Sequence, residues 1–165
     1  VQDVLQKFQL QAETKHVTLE TNLGEELPFA YGDSGLMQRV LENLIGNALK
    51  HTPEGGTVWI KLVPEGNQYT VVIEDTGRGI SREELPHIFD RLYRAGNSAR
   101  SGTGSSGLGL AIVKKLVEEH GGWIEAANRA EGGARVTIVL PTNEYSHSNM
   151  LRQEAVAGEY RRERA

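Results

Sequence analysis

Leu41-Glu42-Asn43-Leu44-Ile45-Gly46-Asn47-Ala48-Leu49-Lys50-His51 is the stretch on which the reading turns. It completes an expected helix from Ser34 to His51, capped by Asp33 or Ser34 and stopped by Thr52-Pro53-Glu54-Gly55-Gly56. On a helical period, Met37, Val40, Leu41, Leu44, Ile45 and Ala48 form one broad apolar stripe, the core face. Asn43, Asn47 and Lys50 fall within an arc of about 60° on another side, with His51 at its edge. Two carboxamides and an ammonium suit an ordinary wet surface. They equally suit a magnesium–phosphate face, because Mg²⁺ takes few hard oxygen ligands and leaves the rest to water and phosphate.

The flanking segments alternate between strand and helix patterns. Val1 to Lys15 carries Val4, Leu5, Phe8 and Ala12 at helical spacing, and Val17, Leu19, Thr21 and Leu23 alternate as in a strand, with a further short strand around Phe29-Ala30-Tyr31. Past the central helix, strands are expected at Thr57–Val63 and Gln68–Glu74, joined by Pro64-Glu65-Gly66-Asn67, and short helical turns between Ser81 and Leu92. A helix from Gly107 to His120, ended by Gly121-Gly122, precedes strands Trp123–Ala127 and Ala134–Leu140, which Gly132-Gly133 separates. Residues Ala95 to Ser106, rich in Gly and Ser, read as a mobile loop, and the polar segment beyond Pro141 as a solvated tail.

Two further elements carry chemistry. Asp75-Thr76-Gly77-Arg78-Gly79-Ile80 ends an apolar strand, where a carboxylate can accept from an exocyclic amine, or can simply cap a tight turn. Gly102-Thr103-Gly104-Ser105-Ser106-Gly107-Leu108-Gly109-Leu110 leads straight into a helix. Helix N-termini offer unpaired N–H donors and a positive dipole end to phosphate, though the same composition also makes a flexible linker. It lacks the Gly-Lys-Ser/Thr of a Walker loop and no strand immediately precedes it, so neither common phosphate fingerprint applies.

Composition bounds the alternatives. The chain has 165 residues, enough for one domain that buries roughly 70% of its unfolded surface. It contains no cysteine, which excludes disulfide scaffolds and thiolate metal sites. Eighteen Lys and Arg stand against 22 Asp and Glu, a net charge of −4 that argues against nucleic acid as a partner and against an anionic membrane surface. The longest apolar runs, such as Val136–Leu140, are too short to cross a bilayer, so no direct membrane insertion is expected. A start at Val1 without a leader suggests an excised piece of something longer.

Taken together and in order, Asn43…Asn47…Lys50, Asp75-x-Gly-x-Gly, Ile88-Phe89-Asp90-Arg91-Leu92-Tyr93-Arg94 and Gly107-Leu108-Gly109-Leu110 resemble the N, G1, F and G2 boxes of bacterial sensor histidine kinases. That family lies within the gyrase, chaperone, histidine kinase and mismatch-repair (GHKL) ATPase superfamily. The resemblance covers roughly Val17 to Pro141 and implies an α/β fold: a two-layer sandwich of the Bergerat type, three helices on a mixed sheet of about five strands, with a mobile ATP lid. It implies ATP and Mg²⁺ as cofactors. Asn47 resembles the magnesium ligand, Asn43 a residue near the phosphates, and Lys50 the phosphate-contacting lysine. His51 stands where an aromatic packs beside adenine. Asp75 resembles the adenine-reading carboxylate, with Gly77, Gly79 and Ile80 shaping that pocket. Phe89 would anchor the F box on the core, and Arg94 could reach the γ-phosphate. Gly107, Leu108 and Gly109 would hold the phosphates at a helix N-terminus.

The same resemblance assigns residues 1–15 to the end of a second dimerisation helix or linker, 16–141 to the catalytic domain and 142–165 to a C-terminal tail. The family's acceptor box, a His followed by Glu/Asp, Leu, Arg and Thr-Pro, does not occur around any of the five histidines. The implied acceptor therefore lies on a separate dimerisation and histidine-phosphotransfer domain of the parent protein. A response regulator would be the next partner, and the setting a cytoplasmic domain of a protein anchored in the plasma membrane. Three positions depart from the pattern: Ser105 for a glycine, Ala134 for Ser or Thr, and His51 for the commoner Tyr. The rival readings are an autonomous ATPase clamp, an anti-sigma-type serine kinase and a nucleotide-dependent binding module. An ATPase clamp would place a Glu at position 43, and an amide there cannot take a proton from water. Trp59 and Trp123 read as core or edge packing, and His16, His87, His120 and His147 show no metal spacing.

Overall fold

The computed structural model describes residues 2–23, 34–93 and 108–141. In chain order the elements are α1 (Gln2–Thr14), β1 (Thr18–Asn22), α2 (Ser34–His51), β2 (Thr57–Glu65), β3 (Gln68–Asp75), α3 (Gly109–Glu119), β4 (Trp123–Asn128) and β5 (Ala134–Pro141), with a single 3₁₀ turn at Leu85–His87. The strands form one mixed sheet in the order β1-β2-β3-β5-β4. β1 runs parallel to β2, and the other pairs are antiparallel. The expected two-layer α/β sandwich is the architecture observed.

Strand alternation makes one side of the sheet apolar. Ile60, Ile73, Val136 and Ala126 lie in one cross-strand row, and Leu62, Val71, Ile138 and Ile124 in the next. Against this face pack Val40, Leu41, Leu44, Ile45, Ala48 and Leu49 of α2 with Val113 and Val117 of α3. The stripe expected on α2 is buried, and Leu49 widens it. The reason is α1: its Val4, Phe8 and Ala12 enter the same cluster, so α2 is covered from a second direction. Phe8 lies 3.8 Å from where a side chain on Gly46 would start, and Lys7 pairs with Glu42 at 3.1 Å.

Several boundaries differ from the expected ones. The β2–β3 connection is two residues, not four: the ladder continues to Glu65 and Gln68. Gly66 takes φ 59° at the first central position, where a primed hairpin turn needs a positive φ. Pro64 is tolerated inside β2 because β1 pairs only as far as Lys61, so its missing N–H costs no bond to that strand. The helix expected from Gly107 starts at Gly109 in the described chain. Phe89 is half-buried and is not part of the central cluster of described residues, contrary to its expected role as an anchor. The strand expected near Phe29, the cap at Asp33, the loop 95–106 and the tail 142–165 lie outside the described residues, as does the side chain of Met37.

Candidate functional site

Asp75 closes β3 opposite Val58, so alternation turns it to the helix-covered side while its neighbour Glu74, opposite Trp59, faces the open side. The Asp75 residue is only 7% exposed, which forces its carboxylate to find partners. Oδ1 accepts from the main-chain N–H of Gly77 at 2.8 Å and of Ala134 at 3.2 Å. Oδ2 has no hydrogen-bond donor among the described residues. One oxygen is thus fixed by backbone and the other is open among the described residues.

Close backbone contacts bring the separate motifs to this carboxylate. A Cβ on Gly77 would lie 2.5 Å from the His51 carbonyl oxygen, so the end of α2 rests directly on the Asp75-x-Gly turn. A Cβ on Gly133 would lie 1.8 Å from the Asp75 carbonyl oxygen, so the β4–β5 turn rests on its other side. At the far end of the α2 face, a Cβ on Gly109 would meet Asn43 Oδ1 at 2.8 Å, which joins the start of α3 to that face. Main-chain contact requires the glycine at 77, whereas Gly109 meets only the end of the Asn43 side chain. The Thr57 N–H bonds Thr76 Oγ1 at 2.9 Å, and the Thr76 N–H bonds the Thr57 carbonyl at 3.1 Å, which fixes the turn to β2.

On α2, Asn43 Nδ2 donates to the Arg39 carbonyl at 2.8 Å, leaving Oδ1 toward Gly109. Asn47, one turn on, is half-buried and its carboxamide has no partner among the described residues. Lys50 is exposed on the same helix. The helix ends under Lys15, whose ammonium donates to the carbonyls of Leu49, Lys50 (3.1 Å) and Thr52 (2.8 Å), satisfying acceptors that the last turn leaves open. The His51 imidazole has its pKa lowered, first by partial desolvation and then by the charges of Arg78 and Lys50, with Asp75 opposing. The ring is therefore mostly neutral at pH 7.

Leu108 is the N-cap of α3 and, among the described residues, no side chain caps that terminus, so its first N–H groups are of the kind an anion can use. The segment after the Asp75 turn is ordered by a capping box. The Ser81 N–H donates to Glu84 Oε2 at 3.1 Å, and the Glu84 N–H returns to Ser81 Oγ at 3.2 Å. The hydrogen bond from Ser81 holds the Glu84 carboxyl below its ordinary range against the effect of burial, and Arg78 at 3.4 Å adds to it. Arg94 and Gly107 lie outside the described residues.

Sequence reasoning placed the turn between β4 and β5 but missed that residues of this connection reach the Asp75 turn. Asn128 bonds both main-chain groups of Ile80, and Arg129 donates to the Asp75 carbonyl at 3.0 Å while stacking over Trp59 at 4.6 Å. Ala134, noted above for lacking a hydroxyl, contributes its N–H. The one signal available was Gly132-Gly133, of which Gly133 marks the close approach to Asp75.

The model of the family described as histidine kinase-, DNA gyrase B- and HSP90-like ATPase matches residues 32–144. Among similar proteins, the KdpD sensor of Clostridium acetobutylicum is 38% identical over 127 residues, 77% of this chain and 14% of that protein. The sensor histidine kinase WalK of Bacillus subtilis is 35% identical over 143 residues, 86% of this chain and 23% of that one. Among solved structures, the mycobacterial sensor histidine kinase MprB superposes with a TM-score of 0.70 at 30% identity, covering 84% of this chain and 92% of that one. The nucleotide-free catalytic domain of histidine kinase ThkA gives 0.77 at 25% identity, over 88% and 91%. Full-length ShkA in complex with AMPPNP gives 0.73 at 26%, over 85% of this chain and 28% of that one. The chain belongs to this ATPase family, as an ATP-binding catalytic domain of the sensor histidine kinase kind. It spans a minor part of the length of the sensor proteins it matches. Among the described residues no helix is long and apolar enough to cross a membrane.

Proposed function

We propose that this chain binds Mg-ATP between α2, the Asp75 turn and the start of α3, and donates the γ-phosphoryl group to a histidine on a separate dimerisation domain. The observation that carries the reading is the Asp75 carboxylate, buried, with Oδ1 held by two main-chain N–H groups and Oδ2 left for a ligand. An adenine amino group is a donor of the right kind, with Gly77, Gly79, Ile80 and the neutral His51 around the base. Lys50, Asn43 and Arg94 would offset and orient phosphate charge, and the N–H groups at Gly107, Leu108 and Gly109 would receive phosphate oxygens. That the similar ShkA was solved in complex with AMPPNP supports a nucleotide as the ligand.

The donor set fits Mg²⁺. Among the described residues no three His, Cys, Asp or Glu side chains gather into a metal site, while Asn47 offers one uncommitted carboxamide oxygen on the phosphate-facing side. Mg²⁺ needs only one or two protein oxygens when water and phosphate complete its shell. When bound, the ion would neutralise triphosphate charge. In the transfer, the bond from the γ-phosphorus to the β–γ bridging oxygen breaks and a phosphorus–nitrogen bond to the acceptor imidazole forms, with ADP leaving and the imidazole losing its proton. The protein's part is positioning and charge, since this transition state needs little covalent help. Position 43 being an amide argues against an autonomous ATPase, because Asn43 cannot serve as a base toward water. Residues 1–15, whose α1 packs on α2, would continue the dimerisation helix. A response regulator is the proposed next acceptor, and membrane anchoring of the parent the proposed setting.

Incubation with γ-labelled ATP tests the reading. The chain alone should bind ATP without gaining an acid-labile, alkali-stable label, and an added dimeric helical hairpin bearing an acceptor histidine should be labelled in trans. Rapid release of free phosphate without acceptor, or stable labelling of the chain itself, would overturn it.

A further inference from the structure

The exposed end of β4 makes a contact that its exposure does not require. Asn128 Oδ1 accepts the Ile80 N–H at 2.7 Å, and its Nδ2 donates to the Ile80 carbonyl at 2.7 Å. One side-chain amide thus pairs with both polar groups of a single residue, as a neighbouring strand would. Among the described residues the main chain of Arg78, Gly79 and Ile80 makes no backbone–backbone hydrogen bond, so this side chain stands in for a missing strand partner. Gly79, at φ 72°, lies so close that a Cβ on it would sit 2.9 Å from Asn128 Oδ1. The next residue, Arg129, grips the other end of the same loop. Its Nη1 donates to the carbonyls of Asp75 (3.0 Å) and Gly132 (3.2 Å), and its guanidinium is only 14% exposed.

We propose that Asn128 is a positioning residue for base recognition: it fixes the Gly77–Ile80 loop against the sheet so that the pocket beside Asp75 keeps its shape. This rests on the nucleotide reading given above. The amide is needed with both its polarities. Asp at 128 would retain the acceptor for the Ile80 N–H but set a carboxylate oxygen against the Ile80 carbonyl, whereas Ser could keep one of the two bonds.

The test is titration of the purified chain with Mg-ATP and Mg-ITP, which differ at the base position that Asp75 would read. Wild type should prefer ATP. Asn128→Ala and Asn128→Asp should each weaken ATP about tenfold, Asn128→Ser less, with ITP nearly unchanged, so that the preference collapses while the thermal midpoint of the free protein stays within a few degrees. ATP affinity and preference unchanged in both variants would overturn the proposal. So would an equal loss of both nucleotides in step with a loss of folded protein, since that is what a merely structural residue gives. A wild-type chain that binds neither nucleotide would instead overturn the nucleotide reading itself.

Discussion

Two adjacent glycines provide a controlled test of how Asp75 is held. Gly132 and Gly133 have nearly the same backbone angle, φ 92° and 90°, yet a Cβ on Gly132 meets nothing within 4 Å while one on Gly133 would lie 1.8 Å from the Asp75 carbonyl oxygen. Alanine at either position pays the same conformational strain, about 1–2 kcal/mol. Only Gly133→Ala must also push the β4–β5 turn away from Asp75, by more than about 1 Å to restore ordinary contact. That movement breaks the Ala134 N–H bond to Asp75 Oδ1 at 3.2 Å and the Arg129 bond to the Asp75 carbonyl at 3.0 Å. At roughly 1 kcal/mol each, Gly133→Ala should cost about 3–4 kcal/mol in all. Urea unfolding gives both stabilities, and calorimetry with Mg-ATP gives both affinities. Gly132→Ala should bind ATP within about twofold of wild type, and Gly133→Ala at least tenfold more weakly, since roughly 1.4 kcal/mol of lost alignment suffices. Equal effects of the two substitutions on stability and affinity would refute the claim that the hairpin turn aligns Asp75.

Lys15→Met removes the ammonium that closes the last turn of α2 while keeping its apolar stem, and should lower unfolding free energy by about 1–2 kcal/mol in urea titrations at low salt. Glu74→Gln should be costlier near neutral pH, by about 2 kcal/mol, because a nearly buried carboxylate is shared by Lys61 at 2.8 Å and Arg135 at 2.6 Å. Burial alone would raise the Glu74 pKa, but the hydrogen bonds and charges of Lys61 and Arg135 prevail and hold it below its ordinary value of 4.5. Its contribution is therefore complete above that value and lost as pH falls through the lowered one. Stability profiles of wild type and Glu74→Gln should converge in that acid window, and parallel curves would show that Glu74 is not the group titrating.

The legible part of the fold is the part governed by period. The α2 stripe from Val40 to Ala48 and the alternation of β2, β3 and β5 follow from one-sided burial, and each lands on the covered face. Leu49 escaped because periodicity on one helix cannot report that a second helix, α1, covers its flank. Pro64 was misjudged as a strand end because a missing donor matters only where a neighbour exists, and the extent of β1 is a tertiary fact. In the candidate site, Asn43, Asn47 and Asp75 could be singled out from sequence because few residue types suit the chemistry proposed for them. Asn128 and Arg129 were not, since they act on main-chain atoms of Ile80 and Asp75 about 50 residues away, and backbone partners leave no trace in sequence. Whether the named residues bind nucleotide is what the titrations decide.

The two ends of the proposed site differ in what they cost the fold, and that difference separates function from stability. At the base end, Asp75 is tied into the main chain, so changes there disturb structure and binding together. At the phosphate end, Asn47 sits inside α2 with a carboxamide that bonds nothing among the described residues, and asparagine is among the poorer helix formers. Alanine at that position should be worth about 0.5 kcal/mol more than asparagine in helix propensity, with no hydrogen bond lost. A residue kept against propensity in a helix interior, on the same face as Asn43 and Lys50, is what a ligand-directed role leaves behind. Asn47→Ala should therefore raise the urea midpoint slightly while abolishing the increase in ATP affinity that Mg²⁺ gives the wild type. Calorimetry with and without EDTA reads the second effect directly. A variant that is more stable and still responds to Mg²⁺ would show Asn47 to be only a surface residue, and would move the metal to another oxygen.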